Sequence, residues 1–144
     1  MLVSQILKTK ADDSVTTVKP GMLISEAAKM LSEKRIGTLV ISADGKSPDG
    51  ILSERDIVRE LGRQGGDCLT IRVEDLMTRK LVTCTKDERS DAILSKMTEG
   101  RFRHMPVLED GALIGLISLG DVVKARLTEL SMEKDALEGM IMGH

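Results

Sequence analysis

The sequence predicts an α+β fold of two β-α-β-β-α repeats, packed through their sheets with pseudo-two-fold symmetry and followed by an extended C-terminal helix. The first observation is a duplication: the stretch GILSERDIV, from Gly50, recurs as GLISLGDVV, from Gly115, 65 positions later. The second is that strand-like and helix-like hydrophobic patterns alternate in the same order in both halves. Because a half of this 144-residue chain is too short to bury a large core alone, we expect the halves to share one.

The first half contains each element of the repeat in turn. SVTTV is rich in β-branched residues and predicts a short strand, and Pro20-Gly21 predicts a turn. A helix follows with Ser25 near its start, and then come TLVIS and GILS, two strands joined across a polar turn. SERDIVRELGRQ predicts a second helix that ends near Gly65.

The second half repeats this order, with strand LVTCT, a helix from about Asp87 to Gly100, strand HMPVL, turn EDGA, strand LIGLIS and a helix from Ser118. We therefore divide the chain into repeat 1 with the N-terminal segment (1–66), repeat 2 (67–125) and a helical extension (126–144). The last helix, which continues into the extension, carries a nearly heptad-spaced apolar stripe: Val123, Leu127, Leu130, Leu137 and Ile141. The stripe favours a homodimer contact over a helix that folds back on its own domain.

Composition excludes several classes of function. The net charge of −2 gives no positive field for a nucleic acid, and Phe102, the only aromatic residue, cannot form a stacking platform. Two cysteines without a CxxC motif and two histidines make a structural zinc site improbable. We expect free thiols, although a disulfide is conceivable. Without a signal peptide or a membrane-spanning apolar run, the sequence indicates a cytoplasmic protein that does not act at a membrane.

The repeated serine and aspartate have a purely structural interpretation. Ser53-Glu54-Arg55-Asp56 and Ser118-Leu119-Gly120-Asp121 both have the S-x-x-[DE] pattern of a capping box. In such a box the serine hydroxyl accepts from a first-turn amide, and the carboxylate accepts from the amide of the capping residue.

The same residues also suit a ligand. A strand that leads directly into a helix places backbone N–H groups and a partial positive charge at one point. An aspartate there is an acceptor-only group, which matches the two vicinal hydroxyls of a ribose, and a serine beside it can donate or accept. Duplication would give two such half-sites.

The duplicated motifs, IGTLVI before GILSERDIV and RFRHMPVL before GLISLGDVV, strongly resemble tandem CBS domains (cystathionine β-synthase-type repeats). The resemblance extends from about Val3 to Ala125. It implies a module with a cleft between its repeats for an adenosyl ligand: AMP first, then ADP, ATP, NAD(H) or S-adenosylmethionine.

The resemblance also assigns residues. It implies that the ribose is held by Asp121 with Ser118 in one site and by Asp56 with Ser53 in the other. It implies that the adenine is framed by His104, Met105 and Pro106 in the first site and by Gly37, Thr38 and Leu39 in the second. The rims would be lined by Thr83, Lys86, Thr16, Thr17 and Lys19.

The two copies differ in charge. Arg101, Arg103 and His104 precede the middle strand of the second copy, and arginine pairs well with phosphate. Arg55, which stands where the second motif has Gly120, is expected to reach a nucleotide held by Asp121. We therefore expect the Asp121 site to be the better phosphate site. Alternatively, Arg101 and Arg103 are ordinary surface charges and His104 is simply packed.

The sequence supports three functional hypotheses. The first is a non-catalytic sensor that signals to an unknown effector protein in trans, or through its dimer. The second is a ligand-free interaction module in which the serine and aspartate only cap helices. The third, a nucleotide hydrolase, is disfavoured: His104 could act as an acid or base, but no nucleophile, metal-binding carboxylate cluster or glycine-rich phosphate loop accompanies it.

Overall fold

The computed structural model describes residues 1–10 and 14–141, in which short strands alternate with helices. The α-helices are α1 (Val3–Thr9), α2 (Ile24–Lys34), α3 (Glu54–Gln64), α4 (Val73–Leu76), α5 (Ser90–Gly100) and α6 (Leu119–Ile141), and a 3₁₀ helix covers Gly65–Thr70. The strands are β1 (Thr17–Val18), β2 (Thr38–Ile41), β3 (Gly50–Ser53), β4 (His104–Glu109) and β5 (Ala112–Ser118). Residues 142–144 of the expected helical extension lie outside the described residues.

The structure confirms the predicted α+β class and the long C-terminal helix. It differs from the expected pattern at LVTCT, which forms only an isolated parallel bridge between Cys84 and Val107 instead of a strand. The carbonyls that follow, of Lys86 and Glu88, accept instead from the first amides of α1, Ser4 N at 3.0 Å and Val3 N at 2.9 Å. Helix α1 therefore lies beside the end of this segment and takes up backbone bonds there.

The strands form two small sheets. In the first, β1 runs parallel to β2 and β3 runs antiparallel to β2, with Thr17 opposite Val40 and Thr38 opposite Ser53. The second consists of β4 and β5, joined by Asp110 and Gly111. Their φ angles of 52° and 79° are those of a type I′ hairpin turn, which explains the glycine at this position.

The described residues form two compact units that do not follow the order of the chain. The terminal unit contains residues 1–10, Thr83–Val107 and 115–141, and the middle unit contains Ser14–Val82 with Leu108–Ile114. The core of the terminal unit consists of Val3, Cys84, Ile93, Met97, Met105, Val107, Ile117 and Val122. The core of the middle unit consists of Val18, Ile24, Ala27, Leu31, Leu39, Ile41, Leu52, Ile57, Val73 and Met77.

Helix α1 belongs to the terminal unit because its apolar residues face the second repeat. Val3 and Ile6 are buried, and Leu7 packs against Gly115 in β5. A Cβ atom at Gly115 would lie 2.8 Å from Leu7 Cδ2, closer than side-chain packing allows. The first glycine of the repeated motif therefore makes room for this helix. Over the described ranges, no helix is long and apolar enough to cross a bilayer.

Candidate functional site

The two repeated motifs form the same structure at the start of α3 and of α6. Ser53 N donates to Asp56 Oδ2 at 2.9 Å, and Asp56 N donates to Ser53 Oγ at 3.2 Å. In the second copy, Ser118 N donates to Asp121 Oδ2 at 2.9 Å, and Asp121 N donates to Ser118 Oγ at 3.1 Å. Both capping boxes are confirmed, with the reciprocal bonds expected from the pattern.

A second backbone bond is shared by the two helix starts. Glu54 N donates to Gly37 O at 2.9 Å, and Leu119 N donates to Arg103 O at 2.8 Å. The first amide of each helix is therefore bonded to the residue that precedes the middle strand of its repeat. At each junction, two amides that were expected to be free are therefore paired within the protein. They are those of Glu54 and Asp56 at the start of α3, and those of Leu119 and Asp121 at the start of α6.

Asp121 has a cation that the sequence did not indicate. Lys10, the residue after α1, places its Nζ 3.0 Å from Asp121 Oδ2 and 2.8 Å from the carbonyl oxygen of Leu116. Both side chains of the pair are 24% exposed, so the pair is partly shielded from water. Lys10 and the Ser118 amide both bond to Oδ2 of Asp121, and neither of these two bonds involves Oδ1.

The pKa of Asp121 reflects this environment. Burial by itself would raise the pKa of the carboxyl, but hydrogen bonds from the Ser118 amide and the Lys10 ammonium, with the charge of Lys10, lower the pKa below its usual value. Asp121 is consequently an anion at neutral pH, which is the form that accepts from sugar hydroxyls.

The corresponding partner of Asp56 is more exposed. Arg59 NH1 lies 3.5 Å from Asp56 Oδ1, and the Arg59 side chain is 71% exposed. An exposed pair of this kind contributes little because water and salt screen it. The two repeats therefore share the capping box but differ in how their aspartates are neutralised.

Arg101 has a specific backbone role that it shares with Arg35. Each is the residue that ends a helix, α5 or α2, and each adopts a left-handed conformation with φ of 56° and 54°. Glycine is the usual residue at this position, because a side chain there is strained. The first copy thus has a backbone counterpart of Arg101, whereas Gly37 stands where the second copy has Arg103.

Of the residues expected to frame an adenine in the terminal unit, some lie at the surface and some do not. His104 is half-buried at the start of β4, whereas Met105 is fully buried and belongs to the core. Pro106 is buried as well and accepts from Cys84 N at 3.0 Å, which places Thr83 beside β4. Lys86 is exposed.

The expected residues of the middle unit are brought together around β2. Thr38 pairs with Ser53 across the sheet and is buried, and Leu39 is fully buried in the core. Thr16 O accepts from Val40 N at 3.1 Å, so β1 lies along the same strand. Three further candidates, Thr17, Lys19 and Arg55, are exposed.

A cavity of about 600 Å³ opens in the middle unit between α2 and α3. Its lining includes Gly37 together with Arg35, Glu54, Ile57 and Val58, but neither Ser53 nor Asp56. The cavity is thus on the helix side of the sheet and shares only Gly37 with the predicted site.

Cys68 and Cys84 are buried free thiols, as predicted. Within residues 1–10 and 14–141, no cluster of three or more His, Cys, Asp or Glu side chains could hold a metal ion.

Sequence reasoning missed Lys10. A signal was present, because the apolar residues Val3, Ile6 and Leu7 have helical spacing and two lysines follow them. That pattern predicts a helix with a basic C-terminal end. It does not indicate that the helix lies on the second repeat, and for this reason the pairing with Asp121 could not be inferred.

The fold and the site define a tandem-repeat module in which each repeat leads a strand into a helix capped by the same serine and aspartate. The family model for the CBS domain matches the chain twice, over residues 3–63 and 73–128, and the chain therefore belongs to the CBS-domain family. The resemblance noted from the sequence is confirmed. CBS pairs are regulatory modules that are typically not catalytic.

Relatives and solved structures agree with this assignment. The CBS domain-containing protein CBSX3, mitochondrial, of Arabidopsis thaliana is 33% identical over 148 residues, which cover 98% of this chain and 72% of the relative. The crystal structure of the CBS-domain containing protein ATU1752 from Agrobacterium tumefaciens matches with a TM-score of 0.82 and 43% identity, covering 88% of this chain and 99% of that one. The CBS domain pair of protein MJ0100, solved in complex with 5-methylthioadenosine and S-adenosyl-L-methionine, matches with a TM-score of 0.76 and 27% identity, covering 90% and 98% of the two chains.

Proposed function

We propose that this CBS pair is a non-catalytic regulatory module that binds an adenosyl ligand and passes the bound state to an effector protein by a conformational or oligomeric change. AMP is the first candidate, and ADP, ATP, NAD(H) and S-adenosylmethionine are the others. The observation that carries the proposal is the pair of equivalent serine–aspartate caps at two strand-to-helix junctions. The adenosyl ligands of the MJ0100 domain pair support the ligand class.

In this proposal the ribose hydroxyls donate to Asp121 Oδ1, while Oδ2 keeps its bonds to Ser118 N and Lys10. The Ser118 hydroxyl already accepts from Asp121 N, and its own proton is available to a ligand oxygen. Arg103, exposed beside the same helix start, supplies a cation for phosphate. Asp56 and Ser53 form the second, weaker site.

The test is ligand-induced stabilisation of nucleotide-free protein. Binding to the native state at about a hundred times the dissociation constant raises the free energy of unfolding by about 2.7 kcal/mol. We expect Asp121→Asn to abolish this gain for AMP and to preserve the fold, because asparagine also caps helices. Asp56→Asn is the matched variant, and we expect it to retain most of the gain. If no adenosyl compound stabilises the native protein, the proposal fails.

Arg103→Ala tests the role assigned to its side chain. Its carbonyl bond to Leu119 N does not involve the side chain, so the fold is preserved. We expect affinity for ATP to fall by about tenfold, as for a lost charge-assisted bond, with adenosine affinity unchanged. Equal losses for both ligands would mean that the guanidinium does not contact phosphate.

A ligand-free interaction module is the second candidate. The observation that favours it is that both aspartates already have partners in the protein: their own caps, and Lys10 or Arg59. On this hypothesis Asp121→Asn changes only the free energy of unfolding. None of the adenosyl compounds named above then shifts the unfolding midpoint of the original protein.

A further inference from the structure

The cavity between α2 and α3 has an extended apolar wall. Its volume of about 600 Å³ is within the range of about 300–1,000 Å³ that is typical of small-molecule sites. Among its lining residues, Leu31 and Ile57 are buried, whereas Val58 is 66% exposed. The wall therefore extends from the core of the middle unit to the surface, and it suits the aliphatic part of a ligand because covering it removes apolar surface from water.

Two opposite charges lie at the rim of the same cavity. Arg35 and Glu54 both line it, and both are exposed. A Cβ atom at Gly37 would lie 3.5 Å from Glu54 Oε1, so the carboxylate lies beside the residue two positions after Arg35. Across the described ranges, the side chains of Arg35 and Glu54 form no hydrogen bond or ion pair, with each other or with a third residue. Both charges are therefore available to a ligand.

The second repeat does not have this pair of charges. At the start of α6, Leu119 stands where α3 begins with Glu54. Phe102 stands where the first repeat has Ile36, and both Phe102 and Leu119 pack against the core of the terminal unit. The second repeat thus places apolar side chains at the corresponding positions. The fold of a repeat therefore does not require the carboxylate of Glu54, which leaves this group free for a role in binding.

We propose that this cavity is a second kind of ligand site, formed without Ser53 or Asp56, and that it binds a free α-amino acid with an aliphatic side chain. The carboxylate of the amino acid accepts from the guanidinium of Arg35, its ammonium donates to Glu54, and its side chain covers Val58. An α-amino acid carries the required anion, cation and aliphatic body in one small molecule. A phosphate-bearing ligand fits less well, because the Glu54 carboxylate repels it.

The experiment is an NMR titration of the full chain, followed at the methyl groups of Ala28, Ile36 and Val58, which line the cavity. The probes are L-leucine and two compounds that each lack one of its charges: isocaproate has no amino group, and isoamylamine has no carboxylate. We expect L-leucine to bind with a dissociation constant of about 0.1 mM, as its small size allows. Each of the other two should bind at least about tenfold more weakly, because each loses one charge-assisted bond.

Two substitutions test which residue recognises each charge. Arg35→Gly relieves the left-handed strain at this position, so the fold is preserved, yet we expect affinity for L-leucine to fall by about tenfold and affinity for isoamylamine not to fall. Glu54→Gln should weaken L-leucine by a similar factor without weakening isocaproate. Lys34→Gln and Glu33→Gln change exposed neighbours outside the lining. They are the matched controls and should leave affinity for L-leucine within about twofold of the original.

Three results would contradict the proposal. If the methyl groups of the cavity do not respond to L-leucine at about 10 mM, the cavity serves a protein contact or holds only water. If L-leucine and isocaproate bind equally well, Glu54 does not recognise an ammonium. If the two controls lose as much affinity as Arg35→Gly and Glu54→Gln, the amino acid responds only to the general surface charge. The amino-acid site does not involve the capping serines and aspartates, so a failure of AMP to stabilise the protein leaves this test intact.

Discussion

The ammonium of Lys10 lies 3.0 Å from the carboxylate of Asp121, although the two residues are far apart in sequence. This contact joins the end of α1 to the first turn of α6, where the second copy of the repeated motif caps its helix. It is the feature that most clearly distinguishes the Asp121 site from the Asp56 site.

Lys10→Met tests the strength of this pair. Because the pKa of Asp121 is lowered in the folded protein, the carboxylate stabilises the fold above its unfolded pKa of about 3.9, and this contribution is lost as the pH falls through the folded pKa. Removing Lys10 raises the pKa of Asp121 and lowers the free energy of unfolding at pH 7 by about 0.5–1 kcal/mol, as for a partly exposed pair.

Urea unfolding at pH 7 and at pH 3, with an NMR titration of the Asp121 carboxyl, measures both effects. The difference between Lys10→Met and the original chain should be smaller at pH 3 than at pH 7, because pH 3 lies below the unfolded pKa of about 3.9. Lys8→Met removes an exposed lysine from α1, two residues earlier, and is the control. If both variants give the same small change, Lys10 does not stabilise Asp121 in solution.

Gly115→Ala tests the docking of α1 on β5. The new methyl group would lie 2.8 Å from Leu7 Cδ2, so we expect a loss of about 1–3 kcal/mol in the free energy of unfolding from overpacking. Adding Leu7→Ala creates the missing space. The double variant should therefore lose less stability than the sum of the losses of the two single variants. If the losses are additive instead, Leu7 does not contact residue 115 in solution.

Arg101→Gly tests whether the strained residue at the end of α5 serves a ligand. Glycine adopts the left-handed conformation without strain, so we expect the free energy of unfolding to rise by about 0.5–1 kcal/mol. If Arg101 binds phosphate, as its position before the middle strand of the second copy suggested, affinity for ATP falls in the same variant.

Arg35→Gly, at the equivalent position of the first repeat, is the matched comparison and should be stabilised by a similar amount. Chemical denaturation measures the free energy of unfolding, and calorimetric titration measures the affinity for ATP. A destabilised Arg101→Gly protein would show that the arginine side chain makes contacts that outweigh its backbone strain.

Cys84 should be unreactive in the folded protein. Burial raises the pKa of its thiol to about 12, and the nearby Glu88 carboxylate adds to the rise while the Lys96 ammonium opposes it. Because the thiolate is the nucleophile, a colorimetric thiol reagent at pH 8 should react with neither buried cysteine until urea unfolds the chain. Ser131→Cys supplies an exposed thiol for comparison. Reaction of native Cys84 at the rate of that thiol would contradict its burial.

The sequence predicted those features that depend on local patterns. Helical spacing and the serine–aspartate pairs indicated α3 and α6 with their caps, and apolar runs indicated β2 through β5. The DG turn between β4 and β5 followed from its residue types. A local pattern is sufficient in these cases because the bonds that fix each element join residues close in sequence.

The remaining features depend on contacts between distant parts of the chain. LVTCT has the composition of a strand, yet its neighbouring carbonyls bond to α1, so only the bridge at Cys84 forms. The side chain of Met105 lies in the core of the terminal unit, and the role expected of this residue beside a ligand stays a prediction. The contribution of Arg55 to a nucleotide held by Asp121 stays a prediction, as do the domain boundaries.

The location of α1 has a consequence for the synthesis of the protein. Lys10 bonds to the carbonyl of a residue 106 positions later, so a ribosome releases this helix long before its docking surface exists. Bonds between such distant residues form late and slowly, because a long loop must close first. The middle unit, whose residues are nearly contiguous, can fold during translation, whereas α1 cannot dock until β5 and α6 have been synthesised.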